Sequence, residues 1–162
     1  MPFSIRKYNE TDRPELLRLM EELQDYVTGV DPLKRVERRE GFGEAYTEWL
    51  LGVIAEADGV IYLAERDGKI VGCSAGIMPK QPLHDVLAGV PSKFGRVQEM
   101  YVDEKFRGEG IGKVLIEKCE VYFKQNGCDV ALVEVFAPNK NAYEFYRACG
   151  YADRDVNLMK KL

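Results

Sequence analysis

Val102-Asp103-Glu104-Lys105-Phe106-Arg107-Gly108-Glu109-Gly110-Ile111-Gly112-Lys113 is the stretch that decides how this chain is read. A strand-like apolar run precedes it, and a helical apolar pattern follows it. Three glycines stand at alternate positions at the helix start, flanked by Arg107 and Lys113. Glycine lets the backbone turn sharply and approach a ligand closely. The free N–H groups and the dipole of a helix N-terminus favour an anion. The segment therefore reads as a cradle for a phosphate or pyrophosphate, with a plain helix-capping turn as the alternative. A Walker A loop needs a glycine five positions before its Gly-Lys pair, and Ser or Thr after it. Arg107 and Val114 stand in those places. The dinucleotide fingerprint fails as well, because Lys113 occupies its third glycine position. What remains is Arg-x-x-Gly-x-Gly after a strand.

A chain of 162 residues suits one domain with a sizeable core. With 23 basic and 27 acidic residues its formal charge is −4, which argues against nucleic acid or an anionic membrane as partner. No apolar run reaches the length of a membrane span. The first residues, Met1 to Lys7, lack a signal-peptide core. Cys73, Cys119, Cys128 and Cys149 show no CxxC spacing and read as buried free thiols. A cytoplasmic location is expected from these last two features. The lone histidine, His84, has no neighbouring Cys or second His, so no metal is expected.

Outward from the glycine stretch, residues 4–8 read as a first strand. Asp12-x-x-Glu15 reads as a capping box with Pro14 in the first turn, opening a helix that carries Leu16, Met20, Leu23 and Val27 and ends at Gly29. A second helix falls within residues 33–57. Residues 60–65 and 70–78 are β-rich and joined by Arg66-Asp67-Gly68-Lys69, a hairpin signal. Residues 79–95 form a loop punctuated by Pro82, Gly89 and Pro91. The strand at residues 96–102 leads into the glycine stretch, and the helix beyond it ends at Asn126-Gly127. Residues 130–136 read as a buried strand. Asn141-x-x-Glu144 reads as the cap of a short helix stopping at Gly150. The tail, residues 151–162, is expected to return as one or two strands. The order β-α-α-β-β-β-α-β-α-β implies an α/β layer with a mixed sheet.

A second pattern, Asn-x-x-Ala-x-x-Phe-Tyr-x-x-x-Gly-aromatic, runs from Asn139 to Tyr151. Together the two patterns resemble the signatures of the GNAT superfamily of N-acetyltransferases, in the family's order and along nearly the whole chain. The resemblance implies a single domain, residues 1–162, with an acyl-CoA N-acyltransferase fold: an open mixed sheet whose central parallel strands splay apart around the cofactor, with flanking helices. It implies acetyl-CoA as cosubstrate. Met100, Tyr101 and Val102 would offer backbone to the pantetheine. Arg107, Gly108, Gly110, Ile111, Gly112 and Lys113 would take the pyrophosphate. Asn139 falls on the family's arm-contacting asparagine, and Tyr146 on the tyrosine aimed at the thiol sulfur. Tyr143 and Phe145 read as core packing. A homodimer is also expected, partly because the C-terminal region could supply edge strands.

The implied reaction is attack of a neutral amine, on a small molecule or peptide, upon the acetyl thioester. An ammonium must lose a proton, and a departing thiolate gains from receiving one. A positioned acid or base is worth roughly 10²–10⁴-fold. Tyr146 is the candidate acid. Glu99 is the candidate base, or else a solvated, ion-paired carboxylate; Gln98 occupies the neighbouring position where some family members carry glutamate. Strand alternation turns only one of the two toward a cleft. Asp25, Tyr26, Asp31, Tyr46 and His84 are candidate acceptor contacts or ordinary surface. A non-catalytic acyl-CoA-binding module is the alternative to the enzyme.

Overall fold

In the computed structural model, which describes residues 3–161, the strands are β1 (Ser4–Lys7), β2 (Val60–Arg66), β3 (Lys69–Ile77), β4 (Phe94–Val102) and β5 (Val130–Val133). They lie side by side in that order in one sheet. The first three pairings are antiparallel and the β4–β5 pairing is parallel. The hairpin signal is realised: Asp67 and Gly68 take φ values of 52° and 74°, the left-handed pair a two-residue hairpin turn requires. Strand β3 is buried along its length after Lys69, as a central strand covered on both faces must be.

The helices are α1 (Arg13–Val30), α2 (Phe42–Glu56), α3 (Leu83–Ala88), α4 (Ile111–Gln125) and α5 (Lys140–Ala148). On one face of the sheet, Leu16, Leu19 and Met20 of α1 and Leu50 of α2 pack on Leu63, Cys73, Ala75 and Tyr101. On the other, Ile116, Cys119 and Phe123 of α4 and Tyr146 of α5 pack with Val97. The Phe123 ring lies in a groove that two glycines leave open. A Cβ would sit 2.2 Å from it at Gly95 and 2.8 Å from it at Gly76. Full burial of such a ring contributes about 1.5–3 kcal/mol. That contact sets the height of α4 above β4.

Several local expectations are corrected by tertiary contacts. Asp12 does not cap α1 through its side chain. It accepts from the two terminal guanidinium nitrogens of Arg6, at 2.7 and 2.8 Å, and from the Asn9 N–H, completing a capping box one turn earlier. Gly29 lies inside α1, which runs on to Val30. Asn139, not Asn141, caps α5. The loop at 79–95 contains α3, a six-residue helix with no buried residue. The strand expected over 130–136 stops at Val133 and is half-buried rather than buried. The tail forms no strand over residues 151–161; Leu162 lies outside the described residues.

Candidate active site

Strands β4 and β5 pair only from Phe94↔Val130 to Val97↔Val133. Beyond that point β4 keeps β3 on one side, through Met100↔Ser74 to Val102↔Gly72, and has no partner among the described strands on the other. The parallel pair thus splays, and one backbone edge of residues 98–102 is left without a strand. The register also slips there. Ala75 faces Glu99 and Gly76 faces Val97, so Gln98 is an extra residue in β4. A bulge re-aims the side chains around it. Val97 and Met100 pack toward α4 and α5, whereas Tyr101 packs toward α1 and α2. Simple alternation would have sent one of Gln98 and Glu99 away from the cleft; the bulge lets both line it.

The cleft at the splay has a volume of about 380 Å³. Helix α1 contributes Met20, Leu23, Gln24 and Val27, and α2 contributes Phe42 and Tyr46. The far wall is Val133, Glu134, Val135 and Phe136, followed by Asn139, Ala142 and Tyr146. Glu99 and Tyr146, on different elements, therefore meet in one cavity. Burial pushes the Glu99 carboxyl up to about 7, while a hydrogen bond from the Tyr46 hydroxyl pulls it the other way. Tyr146 is 7% exposed and meets Phe145 and Tyr151 edge-on, with ring centroids 5.1 and 5.6 Å apart. Burial, and then the Glu99 charge, raise its phenol well above the ordinary tyrosine range. The pair thus consists of a carboxyl poised near neutrality and a phenol that holds its proton.

The glycine stretch lies at the start of α4. Gly108 and Gly110 take φ values of 80° and 85°, and the place where each Cβ would stand is open. Gly110 is the N-cap and brings no side-chain hydrogen bond. The N–H groups of the first turn, from Ile111, Gly112 and Lys113, consequently have no intrahelical acceptor. Gly112 faces Phe145 of α5, with ordinary room for a Cβ at 3.4 Å. Lys113 is exposed and reaches only Glu117, at 4.0 Å. Arg107 donates from Nε to the Val102 carbonyl at 3.0 Å, and its guanidinium lies 4.6 Å from the Tyr26 ring centroid and 5.5 Å from that of Tyr101.

Asn139 accepts from the Ala142 N–H at 3.1 Å, and the Tyr26 hydroxyl stands 3.5 Å from the same oxygen. Tyr26 therefore links α1, the glycine stretch and the start of α5. The side chains of Met100, Tyr101 and Ile111 are core residues, leaving their backbones as what they could offer a ligand. Phe145 packs in the core as expected, whereas Tyr143 reaches out to Asp153 at 2.9 Å.

Of the candidate acceptor contacts, Tyr46 lines the cleft. Asp25 pairs with Arg38 at 2.6 Å, and Asp31 accepts from the N–H groups of Leu33 and Val36, both at 2.9 Å. His84 is exposed beside Asp85. Sequence reading missed Glu134 and Phe136 as cleft residues. The signal was a single charge interrupting the apolar run at 130–136. A larger depression, about 500 Å³, lies away from this chemistry among Arg6, Asp12, Arg18, Glu65, Lys69 and Asp103. Most of those charges already pair with one another. Among the described residues, no group of three or more His, Cys, Asp or Glu is placed to hold a metal, and no helix is long and apolar enough to cross a membrane.

Residues 16–151 match the sequence profile of the acetyltransferase (GNAT) family. An uncharacterised N-acetyltransferase of Methanocaldococcus jannaschii is 29% identical over 95% of the chain, which spans 62% of that relative's length. The thialysine N-epsilon-acetyltransferase of Bos taurus is 30% identical over 92% of the chain and 84% of its own length. The fold is also that of a predicted acetyltransferase from Clostridium acetobutylicum, solved with acetyl-CoA. Its TM-score is 0.78 at 17% identity, over 99% of this chain and 96% of that one.

Proposed function

The chain belongs to the acetyltransferase (GNAT) family, and from that premise we propose that it transfers an acetyl group from acetyl-CoA to a primary amine of a small molecule or peptide. One observation carries the reading: Glu99 and Tyr146 line the same cleft, at the gap where β4 and β5 part. The bovine relative, a thialysine N-epsilon-acetyltransferase, supports an amine acceptor.

The residues present fit acetyl-CoA. The unpartnered backbone edge of residues 98–102 offers hydrogen bonds to an amide-bearing arm. The open N-terminus of α4, with Gly108 and Gly110 leaving room for close approach, suits a pyrophosphate. Arg107 and Lys113 supply cations beside it. When bound, acetyl-CoA supplies an activated acyl group on a sulfur leaving group. Glu99 takes a proton from the acceptor ammonium, directly or through water, freeing the nitrogen lone pair to form the new N–C bond. Tyr146 gives its proton to the sulfur as the C–S bond breaks, and the second proton that the nitrogen sheds on becoming an amide restores the phenol. Burial tunes the carboxyl near neutral pH, where a general base works best, and keeps the phenol in its protonated form.

The protein further reads as a homodimer. No described strand pairs with the outer edge of β5, and Val156, Leu158 and Met159 of the tail are 77%, 91% and 69% exposed. Such edges and apolar tails are commonly covered by a partner. The four free thiols fit a reducing, cytoplasmic compartment. A turnover screen tests the activity: acetyl-CoA against amines, polyamines, amino acids and peptide N-termini, following released thiol and acetylated product by mass. Amine-dependent turnover is expected. Saturable acetyl-CoA binding without turnover on any acceptor would favour a binding module instead.

A further inference from the structure

We propose that Tyr46 is the positioning residue for the general base: from α2, its hydroxyl fixes one carboxylate oxygen of Glu99 so that the other faces the cleft. The inference rests on the reading of Glu99 as the base. It goes beyond that reading by assigning the donor that holds the base and tunes its working pH.

The geometry gives the phenol little freedom. Its ring lies between Phe42, stacked at 5.0 Å and 17°, and Trp49, at 5.0 Å and 43°. The ring also packs on the cluster built from Leu16, Leu50 and Tyr101. The hydroxyl donates to Glu99 Oε1 across 53 positions of sequence. A donor held rigidly costs less side-chain entropy when its hydrogen bond forms.

The electrostatic setting leaves this bond without competition. Among the described residues, no lysine or arginine lines the cleft. The titratable groups facing Glu99 are Tyr46 from α2, Cys73 from β3, Tyr146 from α5 and, across the cavity, Glu134 after β5, whose charge is met by Arg96 of β4 at 3.2 Å. Cys73, Tyr146 and Tyr46 are all raised, chiefly by burial, so none brings a positive charge. The phenol hydrogen bond is then what favours the carboxylate against its burial. Hydrogen bonding to the charged form lowers an acid's pKa. Removing the hydroxyl moves Glu99 upward, and less of it is ionised at neutral pH.

The test is the pH dependence of kcat/KM for wild type, Tyr46→Phe and Glu99→Gln, each with two acceptors of different amine pKa. The limb set by the acceptor moves with the acceptor; the enzyme's own acidic limb does not. In Tyr46→Phe that limb is expected to move up by about one unit, since a hydrogen bond to a charged group is worth that much. Turnover falls about tenfold below the limb and recovers toward wild type at alkaline pH, with acetyl-CoA affinity unchanged. A purely structural role would depress activity evenly at all pH values. An NMR titration of the Glu99 carboxyl in both unliganded proteins reads the same shift without turnover, and it holds if the variant is less active for other reasons. Loss of the limb in Glu99→Gln with no shift in Tyr46→Phe overturns the Tyr46 inference alone. A limb that survives Glu99→Gln removes the base assignment beneath it.

Discussion

Replacing Glu99 by glutamine should change how stability depends on pH, in a direction the structure fixes. Burial raises this carboxyl from 4.5 to about 7 in the folded protein. Each unit of difference between folded and unfolded states is worth about 1.4 kcal/mol, so the gap corresponds to about 3 kcal/mol. Between the two values the unfolded chain gives up its proton first, so the folded state binds more protons and wild-type stability falls as pH rises. Below the lower value the term is absent; above the higher one it is fully present as a cost. The glutamine variant carries no such titration, although it keeps an amide beside Tyr46. Urea unfolding of both proteins, from about pH 4 to about pH 8, isolates the effect, because the other titrating groups cancel in the difference. The variant should gain on wild type by about 3 kcal/mol across that span, with most of the change between the two pKa values. Parallel stability curves would show that the folded protein holds Glu99 at an ordinary pKa, and the argument for a tuned base would fail.

Gly95→Ala should cost about 1–3 kcal/mol in urea unfolding, because the new methyl meets the Phe123 ring. Gly29→Ala, inside α1 with no neighbour within 4 Å, should instead stabilise by about 0.4–1 kcal/mol; the opposite order for the two glycines would refute the packing account. Tyr146→Phe should lower kcat about 100-fold with little change in acetyl-CoA affinity, and full activity at every pH would leave Tyr146 as a packing residue. Light scattering over a dilution series should give twice the chain mass; a constant 18.4 kDa would defeat the dimer.

What could be read from the sequence was local chemistry. Asp67-Gly68 carries its own turn, and Gly110 followed by the Ile111, Leu115, Cys119 spacing fixes where α4 begins and which face it buries. Both signatures fall on the elements expected for them, at the start of α4 and along α5. What could not be read depends on contacts outside the pattern of the element itself. Asp12 has the right residue type and spacing for a cap of α1, yet Arg6 on β1 claims it. Asn141 likewise yields to Asn139, two positions earlier.

The extra residue at Gln98 is invisible to an alternation argument, because it arises from the β3–β4 register. Tyr46 and Glu99 lie far apart in sequence and are joined only when α2 folds over β4. Residues 134–136 and the tail read as strands from their composition, but composition does not show where strand pairing stops. The β4–β5 pairing ends at Val133 in the first, and Val156 and Leu158 stay exposed in the second.

The central claim is that the start of α4 holds the pyrophosphate of acetyl-CoA through its free N–H groups. Calorimetric titration of acetyl-CoA into wild type and Gly110→Val tests it most directly, with far-UV circular dichroism establishing that both are folded. At φ 85° a β-branched residue is strained and turns those N–H groups away. Saturable binding by wild type and an affinity at least ~10-fold weaker in the variant are predicted, since that is what losing an anion site at a helix terminus entails. Equal affinity in the two proteins would contradict the account.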